Sequence, residues 1–294
     1  MIGAVRQAPD APAPPVPRER EASHEAPHID RRRALPGSAP VTGWRARDAS
    51  APGTTYTLVA VGDSAVGGLM SLPADARKAG ATPRWVGYVG VDDVDAAAER
   101  IGQLGGIVHV PPIDVPDISR IAIVADPQMA MFGLITWLGA DQERAVRSGA
   151  LGCARWHELL AADAKTALVF YAELLGWQKA ETGFDPGGTY QLFSTGGQTV
   201  GGLCTKPATV PVPFWLYYFR VGDIDAAAHR AKAAGGEILE GPLDVMGGAW
   251  VARCIDPQGA MFALIGPRGK SAAGYFEGTT SRSPSDARSR RWSW

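Results

Sequence analysis

The chain repeats itself. Trp85-Val-Gly-Tyr-Val-Gly-Val-Asp-Asp-Val-Asp-Ala-Ala-Ala-Glu-Arg100 returns 130 residues later as Trp215-Leu-Tyr-Tyr-Phe-Arg-Val-Gly-Asp-Ile-Asp-Ala-Ala-Ala-His-Arg230. The offset holds without a gap through Gly105-Gly106 and Gly235-Gly236, Asp126-Pro127-Gln128 and Asp256-Pro257-Gln258, and Met131-Phe132 and Met261-Phe262. Before Trp85 it becomes 134, with Thr55-Tyr56 on Thr189-Tyr190 and Gly67-Gly68-Leu69 on Gly201-Gly202-Leu203. Self-similarity at a fixed period means that one structural unit is used twice. The 294 residues therefore divide into two related units joined near Asp141–Gly149, and 46% hydrophobic residues supply both cores.

The second copy reads more fully. Ala154–Ala161 alternates as a strand, and Asp163 after it is placed to cap a helix. Ala167, Phe170, Tyr171 and Leu174 form that helix's apolar stripe, and Gly176 ends it. Short strands follow near Trp177–Gly183, Thr189–Ser194 and Gln198–Cys204. The pattern then restarts with a strand at Phe214–Val221. Asp223 caps a helix striped by Ile224, Ala227, Ala228 and Ala231, and Gly235 ends it. Strands near Glu237–Val245, Ala249–Ile255 and Ala260–Gly266 complete a βαβββ–βαβββ order. The 36 Gly and 23 Pro fit the many turns this needs.

Several classes find no support. With 29 Lys+Arg against 30 Asp+Glu there is no positive field for a nucleic-acid backbone. No apolar run approaches the ~18–20 residues that span a bilayer, and the start lacks the apolar core of a secretory signal. Cys153, Cys204 and Cys254 are odd in number and widely spaced, which argues against a disulfide framework or cysteine zinc site and for the cytoplasm. Nucleophile-elbow, P-loop and dinucleotide motifs do not occur. Gly67-Gly68 and Gly201-Gly202 fall inside strand patterns, which suggests close backbone approach.

Trp156-His-Glu-Leu-Leu-Ala-Ala-Asp163, Phe170-Tyr171, Leu175-Gly176-Trp177, Val221-Gly-Asp-Ile-Asp225 and Asp256-Pro257-Gln258-Gly259 together resemble the vicinal oxygen chelate superfamily of glyoxalase, bleomycin-resistance and extradiol-dioxygenase proteins. The resemblance spans Trp44 to Pro267 and points to a two-domain bacterial subgroup. It implies an α+β fold of tandem glyoxalase-like domains, each a pair of βαβββ modules whose mixed sheet curves into a cup. It also implies a divalent metal in the cup, held by His at the first strand, His or Gln at the fifth and Glu on the last, with positions left open for substrate oxygens.

Counted from the capping Asp residues and the Asp-Pro turn, those ligand positions are Trp156, Leu216 and Ala263. None can ligate a metal. In the first copy the same counts give Val86 and Gly133. The expectation is a protein with no metal site and no cofactor. His157 lies one residue off, and alternation points it away from the cup as a structural hydrogen-bonding histidine. Glu158 has the inward phase. It is a candidate general base, a ligand anchor, or an ion-pair partner for Arg220, which shares that phase. Trp156, Tyr190, Tyr218 and Trp250 gather at the cup as pocket-lining candidates, while Trp215, Tyr217 and Phe219 should face the helices.

The ends differ from the middle. Residues 1–41 read as a disordered tail. There His24 and His28 lie four apart, but Pro27 between them breaks any shared helix face. The domains are expected at 42–140 and 151–268, joined by a linker at 141–150. A polar C-terminal tail, 269–294, carries Tyr275, Phe276, Trp292 and Trp294. Gly43-Trp44 matches Gly176-Trp177, yet residues 20–42 show neither strand alternation nor a helical stripe. The first domain is thus expected to lack its opening strand and helix and to expose apolar surface there. Met129 stands where the second copy has Gly259, so that turn is expected to be strained or remodelled.

The functional expectation is a protein that binds a small apolar or aromatic molecule in the second cup and sequesters or carries it. Whether it is an enzyme stays open. The alternative is a lyase, isomerase or dioxygenase using a shifted metal site or Glu158 acid/base chemistry. Expected partners are a small-molecule ligand and a second copy of the chain as a homodimer, with neither nucleic acid nor membrane.

Overall fold

The computed structural model describes residues 41–50, 55–62, 64–78, 80–115, 118–138, 150–181, 190–245 and 248–269. The first unit contains β1 (Arg45–Asp48), β2 (Tyr56–Val61), β3 (Ser64–Met70), the short α1 (Ala74–Lys78), β4 (Tyr88–Gly90), α2 (Val94–Gln103), β5 (Ile107–Val115), β6 (Ser119–Ala125) and β7 (Met131–Trp137). The second contains β8 (Ala154–Ala161), α3 (Ala164–Leu175), β9 (Gln178–Lys179), β10 (Tyr190–Thr195), β11 (Gln198–Thr205), β12 (Phe214–Arg220), α4 (Ile224–Ala233), β13 (Glu237–Val245), β14 (Ala249–Ile255) and β15 (Met261–Gly266). The βαβββ order is present twice in the second unit.

The helices begin and end as the sequence directs. Asp93, Asp163 and Asp223 have extended backbone, and each carboxylate accepts a backbone N–H of the first turn. Gly176 closes α3 in the left-handed conformation with φ 67°. At α4 the cap is Ala234, and the left-handed residue is Gly235 just beyond it. The repeated Asp-Pro-Gln motif makes a closed turn. Asp126 accepts the N–H groups of Gln128 and Ala130, and Asp256 those of Gln258 and Ala260, all at 2.9 Å.

In the second unit β13-β14-β15-β12-β8-β11-β10-β9 form one eight-stranded mixed sheet. β8 runs antiparallel to β12 and parallel to β11. In the first unit the same order is divided. β4-β7-β6-β5 form one sheet and β1-β2-β3 another, with no strand between β3 and β4 among the described residues. The break falls where β8 stands in the second unit. The stretch expected to lack the opening strand and helix lies outside the described residues up to residue 40. The two residues that are described, Val41 and Thr42, are helical and buried, and left-handed Gly43 follows them. The N-terminal tail, the linker and the aromatic C-terminal tail otherwise lie outside the described residues.

One apolar core serves both units. It joins Trp44, Val94, Ile101, Phe132 and Leu134 to Phe170, Tyr171, Trp177, Trp215, Phe219 and Phe262. Tyr171 bridges the units. Its hydroxyl donates to Asp126 (3.0 Å) and accepts from Trp215 Nε1 (3.1 Å). The Gln128 side chain brackets the α3 cap, donating to the Asp163 carbonyl (2.9 Å) and accepting its N–H (2.8 Å).

Met129 adopts φ 75°, matching Gly259 at φ 89°, so the backbone keeps the turn and methionine takes the strain. Met129 is 49% exposed, so it contributes little packing. A left-handed residue with a Cβ costs about 1–2 kcal/mol, and glycine gives back roughly 0.5–1 kcal/mol in unfolded-state entropy. Met129→Gly is therefore expected to stabilise the protein by about 0.5 kcal/mol, read as a melting temperature raised by about 1–2 °C. A lowered melting temperature would contradict this account of the turn.

Candidate functional site

One face of the second sheet, the face that the family resemblance makes the inside of the cup, is built by alternation. On β8, Trp156, Glu158 and Leu160 share one face. Cross-strand pairing sets Leu216 opposite Glu158 and Tyr218 opposite Trp156. Ala263 lies beside Tyr218, and Arg253 lies beside Ala263. Leu160, Leu216, Tyr218, Val251 and Ala263 form a separate apolar cluster with Trp156 packed against it. The three counted ligand positions thus fall on one surface, and an indole, an isobutyl group and a methyl group stand there. That donor set does not fit a divalent cation. Among the described residues no group of three or more His, Cys, Asp or Glu is placed to hold one.

A polar network crosses the floor of this cup. Glu158 is 2% exposed and Arg253 4%. Tyr218 donates its hydroxyl to Glu158 Oε2 at 2.8 Å, and Arg253 Nη2 reaches the same oxygen at 3.0 Å. Arg253 Nη1 also binds Glu240 Oε2 at 2.8 Å. Trp156 Nε1 donates to the Tyr190 hydroxyl at 3.0 Å, and that hydroxyl in turn bonds Glu158. Burial, then the Glu158 charge, holds both tyrosines well above the ordinary phenol range. The same two causes push the Cys204 thiol up to about 12, which removes it as a nucleophile. Gly202 makes room for this arrangement, because a Cβ there would collide with the Tyr190 ring. Gly68 does the same for Tyr56 in the first unit, so Gly68, Gly201 and Gly202 mark close approach.

Two pocket candidates are placed elsewhere. Arg220 is exposed at the last position of β12, beyond the irregularity between Tyr218 and Phe219, and does not pair with Glu158. Arg253 takes that role. Trp250 has the opposite phase from Val251 and Arg253 on β14. It packs against the helix-side core, with the Arg268 guanidinium 4.4 Å from its ring centre. Trp215, Tyr217 and Phe219 face the helices as expected. Sequence reasoning missed Arg253 and Glu240. The available signal was a lone arginine at the inward phase of an apolar strand, where the first copy has Ile123.

His157 points away from the cup. Its Nδ1 lies 3.0 Å from the Val200 carbonyl, which can only accept, so Nδ1 carries the proton. The ring stands edge-on to Tyr217. Burial, aided by the Arg155 charge, lowers its pKa from 6.5 to about 4 against the opposing Val200 bond. A histidine kept neutral in the fold contributes stability above its unfolded pKa, and that stability is lost as pH falls from about 6.5 toward 4. The loss is expected to reach up to about 3 kcal/mol. Urea unfolding of the protein and of His157→Gln at pH 7.5 and 4.5 checks it. The substituted protein should lose less stability between the two pH values; parallel losses would exclude His157 as the cause.

The fold and this cup identify the class, and the comparisons agree. The model of the Glyoxalase/Bleomycin resistance protein/Dioxygenase superfamily matches residues 155–264. The chain is 34% identical over 228 residues to the protein CFP32 of Mycobacterium tuberculosis, covering 76% of this chain and 86% of that one. It is 35% identical over 182 residues to the anthracycline biosynthesis protein DauV of Streptomyces sp. (strain C5), covering 62% of this chain and 65% of that one. In fold it is similar to the Mn(II)-bound glyoxalase from Novosphingobium aromaticivorans, with TM-score 0.55, 15% identity and 79% and 78% of the two chains covered. It is similar also to the 2,3-dioxygenase LapB from Pseudomonas sp. KL28, with TM-score 0.55, 11% identity and 79% and 86% covered. The chain belongs to the glyoxalase, bleomycin resistance protein and dioxygenase superfamily.

Proposed function

We propose that the second cup binds a small, flat, apolar or aromatic molecule without a metal, and that the protein sequesters or carries it. One observation carries this reading: Trp156, Leu216 and Ala263 stand together at the ligand positions, and none offers a donor. Trp156, Tyr190 and Tyr218 add aromatic surface around a small polar floor, as ligand pockets commonly do. A relative named for anthracycline biosynthesis is in keeping with a polycyclic ligand. Cys153, Cys204 and Cys254 form no disulfide, which supports the proposal of a cytoplasmic location.

The second reading, an enzyme working through Glu158, rests on that carboxylate's place on the cup floor. Against it, Oε2 already accepts from Tyr218 and Arg253, and the residue is almost fully buried. A shifted metal site would need His157, which faces Val200 on the other side of the sheet. Native mass spectrometry of the purified full-length protein tests the proposal. The expected spectrum shows an added organic mass that organic denaturation releases. A bare chain that also fails to quench tryptophan fluorescence with planar aromatic probes would overturn it.

A further inference from the structure

The two units provide an internal control for the charges in the second cup. Glu240 pairs across β13 and β14 with Arg253, and in the first unit Val110 pairs across β5 and β6 with Ile123. The register irregularities flanking these pairs are the same in both units. The same backbone is thus built with an apolar pair in one copy and a charged pair in the other. The aromatic lining differs less, since Tyr56 and Tyr88 stand where Tyr190 and Tyr218 do. The fold therefore does not require the charges, and a buried ion pair is poor evidence of a stabilising role.

The charges are also unequal. Glu158 and Glu240 face the single guanidinium of Arg253. Glu158 is fully enclosed with Tyr218 and Arg253. The Glu240 side chain is 24% exposed, at a bulge that re-aims it, and only its Oε2 engages Arg253. Among the described residues the excess negative charge therefore lies on the accessible side, joined through Arg253 and Glu158 to Tyr218, which stands opposite the half-buried Trp156; aromatic ring faces attract cations. An anionic ligand would crowd a third negative charge around Arg253 and displace Glu240.

We propose that the second cup prefers a flat aromatic ligand that carries a positive charge, and that Glu240 sets this preference. This rests on the ligand-binding reading above and adds the sign of the ligand's charge. Three acridine probes separate the two ideas at pH 8: the cation 10-methylacridinium, neutral acridine, and the anion acridine-9-carboxylate. Each is titrated into the full-length protein and followed by tryptophan quenching. The cation is expected to bind about tenfold more tightly than acridine, and the anion more weakly than both. In Glu240→Gln the ratio of cation to neutral affinity should fall to near one, with thermal melting confirming that the protein is folded. The variant's affinity ratio reports on charge and not on cup shape, because all three probes share one ring system. Equal binding of cation and neutral probe, tightest binding of the anion, or an unchanged ratio in Glu240→Gln would overturn the inference while leaving an aromatic cup intact. Failure of all three probes to bind would overturn both.

Discussion

Glu158→Leu is expected to destabilise the protein by about 3–5 kcal/mol, because it leaves the Arg253 guanidinium buried beside an apolar side chain. Arg253 lies between Glu158 and Glu240, and Glu240 is the more exposed partner. Removing Glu158 also takes the acceptor from the buried Tyr218 hydroxyl. Replacing both charged partners should restore much of the loss, since Ile123 shows that this strand position accepts an apolar side chain in the same pairing. The double variant Glu158→Leu with Arg253→Met is therefore expected to be more stable than Glu158→Leu alone. Urea unfolding of the two single variants and the double variant gives the coupling directly. Additive losses would show that Glu158 and Arg253 do not act as a pair.

Tyr171→Ala is expected to cost about 3–5 kcal/mol, the loss typical of a large aromatic removed from a core. Tyr171 is fully buried, stacks on Trp177, and meets Phe132, Phe170 and Trp215 through ring contacts. Phe132 and Asp126 belong to the first unit, so the loss should lower the melting of both units together. Tyr171→Phe separates the hydroxyl from the ring. It is expected to cost about 1–3 kcal/mol, because the Trp215 indole N–H loses its acceptor and buried Asp126 loses a donor. Burial already raises the Asp126 pKa despite the bonds from Ala130, Tyr171 and Gln128, so losing one of them falls on a strained carboxylate. Calorimetry reads this. One lowered transition is the expected result, and two separated transitions would contradict a shared core.

Much of this was legible in the sequence because the signals were local and periodic. Asp163, Asp223, Gly176 and the Asp-Pro-Gln turns act through bonds to nearby backbone, so their residue types alone place them. The inward phase of Trp156, Glu158, Leu216 and Tyr218 follows from strand alternation. What alternation could not give was reach across the cup. Arg220 and Arg253 both have an inward phase, but Arg253 is buried in the middle of β14, while Arg220 is exposed at the last position of β12, beyond the irregularity in its pairing with β8. Strand phase on β14 sets Trp250 on the helix side, which its aromatic character alone does not reveal.

The opening of the first unit shows a different difficulty. His24-Glu25, Asp30, Ala34-Leu35 and Gly43-Trp44 match His157-Glu158, Asp163, Ala167-Leu168 and Gly176-Trp177 at a constant offset of 133. The matches are sparse, and Pro27, Pro36 and Pro40 interrupt the apolar pattern between them, so a search for periodicity passes over them. The helical Val41 and Thr42 agree with this alignment at its described end. At Trp85, the counterpart of Trp215, the indole N–H is buried and finds no partner among the described residues.

With Trp156, Leu216 and Ala263 at the ligand positions, the proposed cup should bind its ligand without the metal its superfamily implies, because none of the three can supply a metal ligand. Elemental analysis of the full-length protein, purified without chelator or affinity metal, tests it most directly. Zinc, nickel, manganese and iron should all lie far below one ion per chain, with no gain after incubation with each metal and desalting. One tightly held ion per chain, lost on mutation of Glu158 or His157, would contradict it.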